Sequence, residues 1–83
     1  MGRRSFSGEE IAKVLQKHGF ETVRQRGSHL ILRYENPDTD EVRVVTIPMH
    51  SRDKIPTGTL QSIAEQSGAE DFHAWCEWID ENR

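Results

Sequence analysis

"FETVRQRGSHLILRYENPDTDEVRVVTIP", residues 20–48, alternates β-branched or apolar side chains with charged ones at a period of two and is interrupted twice by turn residues. The alternation predicts three strands, in "FETVRQRG", "HLILRY" and "EVRVVTIP". Gly27 and Ser28 link the first pair tightly, and "ENPDTDE", with Asn36-Pro37 and its aspartates, joins the second pair. Links this short leave no room for a crossover, so the strands form an antiparallel meander. In the middle strand Leu30, Leu32 and Tyr34 share one face, and His29, Ile31 and Arg33 share the other. If helices cover the leucine face, His29 looks outward.

Helices are expected on both sides of this stretch. Upstream, "SFSGEEIAKVLQKHGF" pairs Ser7 with Glu10 three residues on, the pattern of a capping box, and Phe6 is placed to staple onto Ile11. Ile11, Val14 and Leu15 make one apolar face, Gly19 reads as a left-handed stop, and His18 sits at the negative end of the helix dipole as a structural residue. Downstream, the polar loop "MHSRDKIPTG" leads into "TLQSIAEQSG", where Leu60, Ile63 and Ala64 form the apolar stripe and Gly68 the stop. Finally, "AEDFHAWCEWIDENR" sets Phe72, Trp75, Cys76 and Ile79 at i, i+3, i+4 and i+7. The order is α, β, β, β, α, α. This is an α+β class with a three-stranded antiparallel sheet backed by two helices, and an extra C-terminal helix at about 70–82 appended to a core at about 7–72.

At 83 residues, 34% hydrophobic and 30% charged, the chain is expected to be one globular domain over 1–83. A lone cysteine, Cys76, excludes an internal disulfide and reads as a buried helix thiol. No apolar run reaches a membrane span and "MGRRSFSGEE" lacks the core of a signal peptide, so a cytoplasmic protein is expected. The net charge of −3 is unevenly spread. Residues 1–54 carry ten Lys/Arg against eight acids, and residues 55–83 carry one Arg against six. Three arginines and no acid fall within 24–34, which allows a positive face on an acidic protein.

That segment also holds the best candidate chemistry. The unperturbed pKa of an imidazole lies near neutrality, which suits His29 for moving a proton to or from a hydroxyl. Around it, Arg24, Arg26 and Arg33 are able to neutralise a phosphate, and the backbone N–H groups of Gly27 and Ser28 to approach one closely. A second anion site is suggested at Thr57, Gly58 and Thr59, which open the second helix just after Arg52 and Lys54. His50, in "PMHSR", is a candidate substrate ligand or second proton-transfer group, with simple loop hydrogen bonding as the alternative. Nucleotide-triphosphate binding has no motif, Cys76 lies among acids that raise a thiol pKa, and no metal-ligand spacing is present, so neither a metal nor any other cofactor is expected.

Taken together and in order, "SGEEIAKVLQKHGFETVRQRGSHLILRY", "TIPMHS" and "IPTGTLQSIAEQSGAEDF" resemble the HicA family of toxin endoribonucleases over residues 7 to about 72. The most specific parts are RxRGSH at 24–29, PxH at 48–50 and the "GTLQSIAEQSG" helix. The resemblance implies a double-stranded-RNA-binding-domain-like α-β-β-β-α fold and a catalytic histidine after the glycine turn, which falls on His29. It also implies mRNA as substrate and a HicB-type antitoxin that covers the catalytic face. Many members carry a second histidine where this chain has Leu30, and basic residues where it has Glu65 and Gln66. The expected function is metal-independent RNA cleavage by His29, with Arg24, Arg26, Gly27, Ser28, His50 and Lys54 on the substrate, and with neither DNA nor a membrane as a partner. The alternatives are a non-catalytic RNA-binding module or a protein-interaction domain of the same fold.

Overall fold

A computed structural model describes residues 5–49 and 54–83. The elements are α1 (Gly8–Lys17), β1 (Glu21–Arg26), β2 (His29–Glu35), β3 (Val42–Pro48), α2 (Thr57–Gln66) and α3 (Phe72–Asn82). The strands form one antiparallel sheet in the order β1-β2-β3, as the meander requires. One face of this sheet is covered by α1 and α2, which contact β3, and α3 packs across both helices.

Local signals fix each helix. Ser7 accepts from the Glu10 amide at 3.2 Å while Glu10 Oε1 accepts from the Ser7 amide at 2.9 Å, so two of the orphan donors of α1 are satisfied reciprocally. At its other end Gly19 has φ +99°, and the amides of Gly19 and Phe20 return to the carbonyls of Gln16 and Leu15, a Schellman stop. The same device ends α2, with Gly68 at φ +96° and the amides of Gly68 and Ala69 donating to Glu65 and Ala64. Helix α2 begins at Thr57, with Pro56 at the cap position and its φ already at −57°.

The core joins all three layers. Leu30, Leu32, Val45 and Ile47 of the sheet are buried with Ile11, Val14 and Leu15 of α1, Leu60, Ile63 and Ala64 of α2, and Trp75, Cys76 and Ile79 of α3. Thus α3 closes the same core as the other elements. Its last turn is tied to the start of α1 by Arg83, which bonds Glu10 Oε2 at 2.7 Å and Asp80 at 2.6 Å and lies over the ring of buried Phe6.

Gly8 sets how closely α1 approaches the sheet. A Cβ there would overlap the carbonyl oxygen of Pro48 and lie 3.0 Å from Met49 Sδ, so only a glycine lets the first turn of α1 rest on the end of β3. Met49 in turn donates its amide to the Ser28 carbonyl, and Ile55 donates to the Phe6 carbonyl at 2.9 Å. The β1–β2 turn, the end of β3, the start of α1 and the approach to α2 therefore meet at one end of the molecule.

Candidate active site

Among the described residues no helix lies over the second sheet face, and its composition follows from register. His29 pairs with Arg26 on one side and Pro48 on the other, Ile31 with Arg24 and Thr46, and Arg33 with Glu21 and Val44. Directly opposed residues in an antiparallel pair point to the same side. Since Leu30 and Leu32 are buried, this whole set looks away from the helices, and His29 is exposed as expected.

A bulge makes the arrangement possible on β1. The register slips between Thr22 and Arg24, so Glu21, Arg24 and Arg26 all face outward although 21 and 24 differ in parity. Thr22 turns to the helix side, where its hydroxyl accepts from Gln16 Nε2 at 3.0 Å, and Val23 is left 53% exposed. Strict alternation misses this, since no glycine or proline marks the bulge.

The three arginines of the segment are not equivalent. Arg33 bonds Glu35 at 3.5 Å and faces Glu21 across the strands, which neutralises it locally. Arg24 and Arg26 form no ion pair among the described residues, and the His29 ring has no hydrogen-bond partner among them. Two cations and one imidazole with no partner among the described residues thus stand together, with Arg26 directly opposite His29 at the roughly 5.5 Å Cα spacing of a hydrogen-bonded pair.

The turn beside them supplies donors. Gly27 has φ +60° while Ser28 stays negative, which fits a type II′ hairpin turn with glycine at its first central position. A Cβ at Gly27 would meet nothing within 4 Å among the described residues, so the glycine is there for its backbone sign. The Gly27 carbonyl accepts from Gln25 Nε2 at 3.2 Å, whereas no acceptor meets the Gly27 or Ser28 amide among the described residues.

The remaining candidates divide. Lys54 lies at this end of the molecule, but its ammonium is 4.0 Å from Glu10 Oε1. Glu10 also receives Arg83 and the Ser7 amide, and the backbone hydrogen bond from Ser7, opposed by desolvation and aided by Arg83 and Lys54, holds its carboxyl below the usual range. At the start of α2, Thr57, Gly58 and Thr59 are exposed, Pro56 offers no side-chain cap, and their amides meet no acceptor among the described residues. His18 is structural: its Nδ1 lies 2.9 Å from the Val14 carbonyl oxygen and its ring packs on Trp78. His50 and Arg52 fall outside the described residues.

What the face can do follows from its parts: bind an anion between two arginines and a pair of turn amides, and move a proton at that anion through an exposed imidazole. Among known families, the model described as HicA toxin of bacterial toxin-antitoxin matches residues 8–69, which takes in α1, the whole sheet and α2. No curated protein matches the chain.

Proposed function

The chain belongs to the HicA toxin family of bacterial toxin-antitoxin systems, and from that membership we propose that it is an endoribonuclease acting on mRNA in the cytoplasm, with His29 as its proton-transfer residue. The observation that carries this reading is the His29 imidazole on the outward sheet face, directly opposite Arg26 and beside Arg24, none of the three with a side-chain partner among the described residues.

The chemistry needs only the RNA and this face. His29 as general base takes the proton of a ribose 2′-OH, the 2′-oxygen attacks the adjacent phosphorus, and the bond from phosphorus to the 5′-oxygen breaks. The departing oxygen takes a proton from His50 or from water, leaving a 2′,3′-cyclic phosphate and a 5′-hydroxyl. Arg24, Arg26 and the Gly27 and Ser28 amides stabilise the charge that builds on the phosphate oxygens, and Lys54, held by Glu10, adds a longer-range positive field. The reaction starts from the 2′-OH, so DNA is not cleaved and no cofactor takes part. A HicB-type antitoxin is the cognate partner.

Incubating purified wild-type and His29→Ala protein with RNA in chelator, with folding checked by circular dichroism, tests the assignment. Loss of a proton-transfer residue lowers the rate by roughly 10²–10⁴-fold. A folded His29→Ala protein that cleaves at the wild-type rate removes His29 from the mechanism. Cleavage lost in chelator and restored by a divalent ion contradicts histidine-only catalysis.

A further inference from the structure

The edge of the sheet at β3 has a property that the catalytic reading does not use. Thr46 donates its amide at 3.0 Å to Gln66 Oε1 on α2, away from β2. The Met49 amide, of opposite parity, goes to Ser28 on the β2 side, as does the Asn36–Glu41 bond at the other end of the pair. Amides and carbonyls of Val42, Val44 and Thr46 therefore point outward from the sheet. Gln66 occupies the Thr46 amide, and the backbone groups of Val42 and Val44 have no partner among the described residues. Their side chains are 45% and 51% exposed and lie on the same face as His29.

The two edges of this sheet differ in protection. On β1 the bulge at Thr22–Arg24 breaks the ladder and Arg24 and Arg26 surround the strand, both of which discourage pairing. Between Val42 and Thr46 there is no proline or bulge, and the one charge there, Arg43, pairs with Glu41 and shares the face of Tyr34, opposite to that of Val42 and Val44. A monomer that leaves such an edge bare invites strand addition.

We propose that the β3 edge at Val42–Val44 receives an extended strand of the antitoxin, which rests on the reading of this chain as the toxin of a toxin-antitoxin pair. A second copy of the chain fits poorly, because outward-facing residues must pair with each other. Val42 opposite Val44 sets Arg43 against its own symmetry mate, and Val44 opposite Val44 needs the Thr46 amide that Gln66 holds. Val42 opposite Val42 runs past the strand into Asp40, whose φ of +60° is not extended. Charge favours a partner with an acidic surface beyond the added strand: the charges nearest Val42 and Val44 are already paired as Arg33–Glu35 and Arg43–Glu41, whereas Arg24 and Arg26, on the strand at the other edge of the open face, meet no acid among the described residues. The added strand is apolar beside Val42 and Val44, and the surface flanking it, which reaches over Arg26 and His29, is acidic.

Amide hydrogen exchange on the free chain and on its complex with the cognate HicB-type antitoxin tests this. Protection of the Val42 and Val44 amides is expected to rise by about tenfold or more on complex formation. A complex in which these two amides exchange as in the free chain overturns the proposal and leaves the toxin reading intact, whereas failure to form any complex overturns both. Val44→Pro removes only an outward donor and Val44→Lys places a charge on the edge; each is expected to weaken antitoxin binding by roughly tenfold while RNA cleavage by the free variant persists. Wild-type affinity in folded Val44→Lys counts against strand addition. A free chain that elutes as a dimer with Val42 and Val44 already protected assigns the edge to a second copy instead.

Discussion

Gly8→Ala and Gly58→Ala make the same chemical change in the first turns of two helices, and the structure gives them opposite signs. At Gly58 a Cβ meets nothing within 4 Å, so alanine only restricts the unfolded chain and stabilises by about 0.5 kcal/mol. At Gly8 the new methyl overlaps the Pro48 carbonyl oxygen and presses on Met49 Sδ at 3.0 Å and Ile47 Cγ2 at 3.3 Å. Neither side yields easily: β3 is paired to β2 along its length, and Ile47 is fully buried. Overpacking of this kind costs about 1–3 kcal/mol, the entropy gain offsets about 0.5–1 kcal/mol, and the net loss is about 1–2 kcal/mol. For a domain of this size that lowers Tm by roughly 5–15 °C, against a rise of a few degrees for Gly58→Ala. Thermal unfolding followed by far-ultraviolet circular dichroism reads both. The folded fraction of Gly8→Ala should also cleave RNA more slowly, because the displaced Pro48 is the cross-strand neighbour of His29. A Gly8→Ala protein at least as stable as wild type would refute the close-approach argument.

Three further outcomes are expected. Glu10, whose carboxyl is held low chiefly by the Ser7 amide, stabilises the fold fully above the ordinary carboxylate range and progressively less as pH falls through its lowered folded value; the Tm advantage of wild type over Glu10→Gln should therefore shrink on acidification below pH 4.5. Arg26→Gln should lower kcat/KM and flatten its dependence on salt by about one phosphate contact, while Arg33→Gln, whose charge Glu35 already meets, should do little of either. Equal losses from the two would show that pairing does not distinguish them. Ile79→Ala empties a fully buried site in α3 and should cost about 2–5 kcal/mol in urea unfolding; a near-neutral result would make α3 an ornament.

Signals that act within a few residues were readable in the chain. The Ser7–Glu10 box, the glycines at 19 and 68 and the alternation from His29 to Tyr34 predicted the helix ends, the meander and the outward aim of His29, and all are present. Contacts between distant residues left no such trace. Arg83 meets Glu10 across 73 positions, Gln66 meets the Thr46 amide across 20, and Lys54 is drawn to Glu10 instead of standing free. The bulge that turns Glu21 to the same side as Arg24 depends on how β1 is pulled onto β2, and it decides which charges surround the imidazole. Arg33 belonged to the positive cluster by spacing, and its pairing with Glu35 takes it out.

Helix α3 carries a consequence for the order in which the protein is made. Trp75, Cys76 and Ile79 are translated after every other part of the core, and Arg83, which fastens the start of α1, is translated later still. While a ribosome still holds α3, the sheet and the first two helices lack the side chains that complete their interior, and the domain cannot settle into its native state. Of the elements that build this interior, the helix made last is therefore the one that closes it, and a chain cut short within α3 would leave the sheet and the first two helices with an open core.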